Sequence, residues 1–414
     1  MKLLFISQYF YPESFRGNDI VFDFVKRGHE VTVLTAKPNY PGGKFYNGYS
    51  FFNRKEEIIK GARIIRTPII PRGNGRGIFL LLNYLSFIFF SYFTCIFRIR
   101  NKYDVIFVQQ LSPVTMALPG LWIKRKQKIP LCLWVLDLWP ESISAASNIK
   151  NKFLLNTLDK LVSHIYNKSD MILISSEFFR NSIANKITDQ TKPIIYFPNW
   201  AEDIFSNPKL KKNFLIPVFP TGTKIMFAGN VGEAQDFESI LNAAKITLSV
   251  APEIYWIIVG DGRKLNWVKS EIVKRDLSNV LILGRFAIED MPALFNVADI
   301  MLVTLKDSPA LSLTVPAKIQ AYMASSKIIL GMINGEGHAL INNARCGASL
   351  KAGDFKGLAE KAVYLSKISV EDKVQYEKNS FAFYEKNFSK EKLMISLEFN
   401  LLNMMSTSII KTEV

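Results

Sequence analysis

Ten short apolar runs, five in each half of the chain, alternate with helix-length segments, and this alternation constrains the fold more than any other feature. The first five are Lys2–Ser7, Val31–Thr35, Asp104–Gln109, Leu131–Leu136 and Met171–Ser175. The second five are Thr223–Gly229, Ile254–Gly260, Val280–Leu283, Ile300–Leu305 and Lys327–Ile333. Helices are expected between them, among them Asp19–Gly28, Pro113–Arg125 and Asn151–Lys168. Runs this uniformly apolar suit strands buried on both faces, so each half predicts an open parallel sheet with helices above and below. Pro198, Pro208, Pro217, Pro220 and Gly222 punctuate the polar stretch between the halves. The expected organisation is therefore a domain over 1–197, a linker over 198–222, a second domain over 223–370, and C-terminal helices over 371–414 that partly cross back to the first domain. Ligands of such sheets bind beyond the carboxyl ends of the strands, so the two sheets are expected to face each other across a cleft holding the site.

Composition excludes several classes. Three cysteines without a CxxC, and three histidines without HExxH, leave no disulfide scaffold or thiolate zinc site, and no metal is expected. The opening run Leu3–Ile6 is too short for a signal peptide. The net charge of +16 is concentrated: residues 44–128 hold 15 Lys/Arg against Glu56, Glu57 and Asp104. Arg54, Arg66, Arg72, Arg76, Arg98 and Lys124–Lys126 belong to this stretch, and so does Ile78–Phe97, twenty residues without a charge. Three readings of that run compete: a membrane-spanning helix, a core helix, and a helix lying at a membrane interface. Asn83, Ser86, Ser91 and Thr94 interrupt it, and basic flanks on both sides match anionic headgroups, so interfacial contact with an anionic membrane surface is the favoured reading. No nucleic-acid module accompanies the charge, so nucleic acid is not an expected partner.

Several loops after predicted strands carry groups suited to chemistry. Phe227–Gln235 contains Gly229, Asn230, Gly232 and Gln235, small or amide residues that let backbone N–H groups approach a phosphate. Gly260 and Arg263 lie in a similar loop after the next strand. In Ser308–Lys318, Ser308 offers a hydroxyl, Pro316 suits a helix start, and Lys318 would stand beside the exposed N–H groups as a diphosphate clamp. Glu336 and Gly337 follow the last strand, where one carboxylate among glycines suits vicinal hydroxyls of a ribose or sugar. In the first half, Asp137 and Glu141 in WVLDLWPES are carboxylates among aromatics, suited to hydroxyl recognition or proton transfer. Arg16, Asn18 and Asp19 follow the first strand. Each loop also has a plain structural reading, as a turn or a helix cap.

Taken in order, SQYFYPESFRGNDI, KRGHEVTVLTAKPNYPGGKFYNGYS, WVLDLWPES, YFPNW, FAGNVGEAQDFESIL, VGDGRK and VPAKIQAYMAS with GEG resemble the family 4 glycosyltransferases of the GT-B fold, two Rossmann-like domains. The chain looks closest to the WbuB-type N-acetylaminosugar transferases of O-antigen and capsule assembly. The resemblance implies retaining, metal-independent transfer without a cofactor, from a nucleotide sugar (usually a UDP-sugar) to a polyprenyl-diphosphate-linked saccharide. It also implies a cytoplasmic enzyme, peripheral on the inner face of the bacterial plasma membrane. It assigns the donor to Gly229, Asn230, Gly232, Gln235, Gly260, Arg263, Ser308, Lys318, Glu336 and Gly337, the acceptor to Arg16, Asn18 and Asp19, and catalysis to Asp137 and Glu141. Two departures stand out. Leu313 and Ala321 occupy the positions of the family's paired glutamates, and Asn230 and Gln235 those of its Arg/Lys phosphate clamp. A UDP-sugar 2-epimerase on the same fold and a non-catalytic nucleotide-binding membrane protein are the alternatives.

Overall fold

Leu3–Ile6 are fully buried, and a strand with no solvent face belongs at the centre of a covered sheet. That strand, β1 (Lys2–Ile6), pairs in parallel with β2 (Glu30–Ala36) on one side and with β5 (Val105–Gln110) on the other. The computed structural model describes residues 1–75, 77–142, 151–207 and 217–413; Arg76 and Pro208, noted above, lie outside the described residues. With β3 (Glu56–Ile59), β4 (Ala62–Thr67), β6 (Leu131–Val135), β7 (Met171–Ile174) and β8 (Ile194–Tyr196), the sheet runs β3-β4-β2-β1-β5-β6-β7-β8. All pairs are parallel except β3–β4, a hairpin turned at Lys60 (φ 48°) and Gly61 (φ 85°). Positive φ at both turn residues matches the right-handed twist of the hairpin's strands.

The second sheet repeats the plan with six strands, all parallel. β9 (Thr223–Ala228), β10 (Ile254–Val259), β11 (Val280–Gly284), β12 (Ile300–Thr304), β13 (Ile328–Met332) and β14 (Gly347–Leu350) lie in the order β11-β10-β9-β12-β13-β14. Their side chains feed two buried clusters, one on each face. Met226, Ile257, Met301 and Ile329 enter one; Ile225, Trp256, Leu302 and Leu330 enter the other. In both sheets the chain first extends one way and then reverses, at β1/β5 in the first and β9/β12 in the second. Such reversals leave a crevice at the carboxyl ends of the strands.

The chain divides into Met1–Pro198 with Glu391–Val414, and Asn199–Lys390. This partition differs from the sequence reading at two places. Ala201 and Phe205, inside the expected linker, are buried in the second unit, where Phe205 stacks on Phe295 at 5.1 Å. The helix Val370–Asn387 also belongs there through Tyr384. The final helix, Lys390–Glu413, packs in the first unit: Glu398 meets His29 Nε2 at 2.6 Å and Arg27 Nη1 at 3.2 Å.

The uncharged run forms the helix Gly77–Phe97, and its faces are inverted relative to an ordinary surface helix. Asn83, Ser86, Ser91 and Thr94 are buried beside Phe87 and Cys95, while Ile78, Phe79, Leu81, Leu82, Leu85, Phe89, Tyr92, Phe93 and Phe97 are exposed. The polar stripe is inward because it satisfies backbone. Asn83 Nδ2 donates to Ile70 O (2.6 Å), Ile70 N donates to Ser86 Oγ (2.9 Å), and Gln8 Nε2 donates to Asn83 Oδ1 (2.8 Å). A core helix would bury its apolar residues, so the core reading of this run does not hold.

Candidate active site

In the second unit, the loops after β9, β10, β12 and β13 share one edge of the parallel sheet. Gly229 N donates to Val259 O (2.9 Å), Val231 N to Asp261 O (2.8 Å) and Lys264 N to Val231 O (3.0 Å), which zips the first two loops together. The approach is close enough to demand glycine: at Gly260 (φ 139°) a Cβ would lie 1.8 Å from Gly229 O. Asn230 lies against Gly232 and Gly262, and Gln235 Oε1 accepts from Gly232 N (3.2 Å), closing the turn Glu233–Gln235. These two amides therefore shape the loop. Beside it, the exposed Glu233 pairs with Lys264 (2.9 Å) and Lys306 (3.3 Å).

Lys318 occupies the second position of the helix Ala317–Ala324, with Pro316 as its cap. Its stem keeps some exposure, but Nζ is shut off from solvent and has no hydrogen-bond partner. It lies 3.7 Å above the centre of the Phe227 ring and against Gly229. Burial without a counter-ion lowers its pKa from 10.5 to about 7. This ammonium belongs to the loop after β12 and touches the turn after β9, so it stands at the reversal point of the sheet.

The remaining donor-side residues are unequal. Gly335 (φ 69°) brings the start of the helix Gly335–Ala344 so near the loop after β12 that a Cβ would lie 1.7 Å from Ser312 O. Glu336 is buried in the first turn of that helix, where a carboxylate is favoured by the dipole. Gly337 packs on Ile333 and Ile319, and its small size serves packing. Ser308 O accepts from Ser312 Oγ (3.0 Å), while Arg263 is exposed. An open depression of about 600 Å³ lined by Arg345, Asp372 and Tyr376 lies near the amino end of β14, away from these loops.

In the first unit, the carboxyl edge of the sheet gathers the loops after β1, β2, β5 and β6. Asp137 accepts a hydrogen bond from Ser112 Oγ, which itself accepts from Trp139 Nε1 (3.0 Å). Gln110 Nε2 donates to Asp137 O (2.8 Å), fixing this carboxylate beside the β5 end. Glu141 turns elsewhere: Oε1 accepts from Ser182 Oγ (2.7 Å) and Lys186 Nζ (3.2 Å). The two carboxylates share no partner among these bonds, and Glu141 is held in an ion pair. Asn18 is consumed by the loop, donating to Glu13 O (2.7 Å) and accepting from Tyr11 N (3.0 Å). Arg16 and Asp19 lie in the first turn of the helix Arg16–Lys26, and both are engaged with neighbours.

Residue-by-residue reading missed Glu13, although it sits in the quoted YPES loop. It is buried, and Oε1 accepts from Asn39 N and Tyr40 N, each at 2.7 Å. Burial raises its pKa to about 7, against the lowering effect of these donors and of Arg66. A carboxylate between two strand-end loops is the available signal, since only an acceptor can close both. Among the described residues, no group of three or more His, Cys, Asp or Glu side chains is placed to hold a metal ion.

Residues 19–201 match the family described as Glycosyltransferase Family 4, and residues 222–367 that described as Glycosyl transferases group 1. A probable glycosyltransferase, WbjE of Pseudomonas aeruginosa, is 27% identical over 207 residues, 48% of this chain and 51% of its own. The chain thus spans about half the length of that relative. A putative colanic acid biosynthesis glycosyl transferase, WcaI of Escherichia coli K12, is 26% identical over 315 residues, 72% of this chain and 74% of its own. Among solved structures, Anabaena HepE in complex with UDP superposes with a TM-score of 0.67, at 13% identity, over 97% of this chain and 100% of that one. Two doubly wound units of this kind define the GT-B fold. The family matches fall essentially one on each unit, and the fold the two units share is that of the GT-B glycosyltransferases.

Proposed function

We propose that this chain transfers a sugar, with retention at the anomeric carbon and without a metal, from a UDP-sugar to a polyprenyl-diphosphate-linked saccharide. On this reading it works in O-antigen or capsular polysaccharide assembly, as a WbuB-type hexosyltransferase of an N-acetylated amino or deoxyamino sugar. It acts on the cytoplasmic side, peripheral to the inner face of the plasma membrane.

One observation carries the reading: the Lys318 ammonium, buried and without an anionic partner, at the reversal point among backbone N–H groups. A diphosphate placed there supplies the missing counter-charge. As the anomeric C–O bond breaks, the electron pair stays on the departing phosphate, where the ammonium and the N–H donors stabilise it. The acceptor oxygen bonds the anomeric carbon on the face the nucleotide leaves, so no protein nucleophile is needed, and its proton passes to the leaving phosphate. Glu336 is placed for donor hydroxyls, and Asp137 for the acceptor. The UDP bound by HepE supports the nucleotide class, and the names of the polysaccharide-assembly relatives support the acceptor class. The outward apolar face of Gly77–Phe97 beside a basic segment supports membrane attachment.

Calorimetry with UDP, followed by mass spectrometry of lipid-linked saccharides with and without the protein, tests this. Wild type is expected to bind UDP and add one sugar, and Lys318→Ala to lose both. Absence of UDP affinity, or abolition of turnover by a chelator, refutes it. Leu313 and the buried Ala321, in place of carboxylates, favour a second reading, nucleotide binding without turnover. UDP binding with no product on any lipid-linked acceptor selects that reading.

A further inference from the structure

Several cations of the basic segment are already neutralised. Arg63 and Arg98 pair with Glu56, and Arg54 and Arg66 with Glu57. Arg72 differs: among the described residues no carboxylate lies within ion-pair distance of it. Its guanidinium instead rests on the Tyr40 ring, 4.8 Å from the centre. Its position is nevertheless fixed. Arg72 N donates to Asn39 Oδ1 (3.1 Å), and Gly73 N to Gly43 O (3.0 Å). Two residues earlier, both backbone groups of Ile70 are held by Asn83 and Ser86 of the inverted helix. Tyr84, next to Asn83, is half-buried, shares a hydrogen bond with the buried Tyr9 hydroxyl, and feels the positive field of Arg72 and the negative field of Asp137. A rigid, half-buried guanidinium with a phenol beside it thus stands where the helix's apolar outer face meets the carboxyl edge of the first sheet.

We propose that Arg72 and the Tyr84 hydroxyl receive the diphosphate of a lipid-linked acceptor whose hydrocarbon chain lies along the outer face of Gly77–Phe97. The inference rests on the acceptor class proposed above. Charge and shape support it together: a planar fork binds phosphate oxygens in pairs, an aromatic face keeps it extended, and the same helix carries nine exposed apolar side chains. A simple anionic headgroup would satisfy the charge but makes no use of a guanidinium fixed at the carboxyl edge of the sheet.

The test is flotation of the full chain with phosphatidylcholine vesicles carrying either polyprenyl diphosphate or phosphatidylglycerol at matched surface charge. Wild type is expected to prefer polyprenyl diphosphate, with inorganic pyrophosphate competing. Arg72→Ala should weaken that binding by about tenfold or more, the loss of one charge-assisted pair, and Arg72→Lys should restore it only in part. Binding to phosphatidylglycerol vesicles should change less than about twofold, and an unchanged melting temperature confirms folding. Equal losses on both vesicle types, or none on either, overturn the Arg72 site. A wild type with no preference for polyprenyl diphosphate overturns the acceptor class itself, and Tyr84→Phe, expected to weaken pyrophosphate competition while the helix keeps its vesicle binding, checks the second ligand.

Discussion

Replacing Lys318 by Met should stabilise the free protein and cripple nucleotide binding at the same time. Lowering a lysine pKa from 10.5 to about 7 corresponds to about 5 kcal/mol against the charged form. The Phe227 ring, 3.7 Å below Nζ, offsets about 2 kcal/mol of this, leaving a net cost of about 3 kcal/mol. Methionine fills a similar volume without a charge. For a unit of this size the gain corresponds to a melting temperature roughly 6–12 °C higher. The sign follows from proton counts. Below about 7 both folded and unfolded lysine are protonated and the full penalty applies; from about 7 towards 10.5 the unfolded chain binds a proton that the folded one lacks, so stability rises with pH. A bound diphosphate reverses the shift, because it supplies the absent counter-charge. Titration of UDP near about pH 8, in buffers of different ionisation heat, should therefore show uptake of a substantial fraction of a proton in wild type. Lys318→Met should show none and bind UDP at least about tenfold more weakly. A less stable methionine variant, or tight UDP binding with the same proton count in both proteins, would refute the reasoning.

Glu13 titrates in the opposite sense: the folded chain holds a proton between 4.5 and about 7 that the unfolded chain has lost, so its contribution to stability falls as pH rises through that window. Glu13→Gln keeps an acceptor for Asn39 N and Tyr40 N, and its melting temperature should be flatter than wild type across that range; a parallel pH dependence would rule this out. Gly260→Ala, whose Cβ would strike Gly229 O, should cost about 3 kcal/mol and weaken UDP binding together, as measured by denaturation and calorimetry. Leu85→Ser with Phe89→Ser, both on the exposed helix face, should leave urea stability within about 1 kcal/mol and lower flotation with anionic vesicles. Unchanged flotation would remove that helix from the membrane contact.

The alternation was legible because burial on both faces writes a strand as an unbroken apolar run, and all ten such runs coincide with strands of the two sheets. The four strands it did not reveal are peripheral. β3 and β4, with Glu56, Glu57, Arg63 and Arg66, spend their charges on cross-strand pairs at a sheet edge, and β8 and β14 are half-exposed edge strands. Loop chemistry was legible by type but less so by role. Lys318 was readable because a proline-started helix after a strand fixes where its second residue stands, whereas Asn18, Glu141 and Gly337 turned out to be occupied by Tyr11, Lys186 and Ile333. Nothing in a one-dimensional pattern tells a spent polar group from an unspent one.

The helix Gly77–Phe97 shows the same limit from the other side. Hydropathy registers twenty uncharged residues but not which face is inward, and the usual rule places Asn83, Ser86, Ser91 and Thr94 outward. Here they face inward because the segment leading to Arg72 carries backbone groups with no other partner: Ile70 N and O are satisfied by Ser86 and Asn83. An unpaired buried amide costs several times what a hydroxyl contact contributes, so the polar stripe is drawn to the protein beside Phe87, and Phe79, Phe89, Phe93 and Phe97 are left outside. One requirement thus accounts for two features at once, a fixed Arg72 and an apolar outer face. Asn83→Leu separates them: it removes the bond to Ile70 O while adding apolar character to the helix. If the requirement is real, this variant should unfold at lower urea, and pyrophosphate should compete less well with its vesicle binding. A variant that is as stable as wild type and competes equally would show that the helix's hydropathy alone determines its seat.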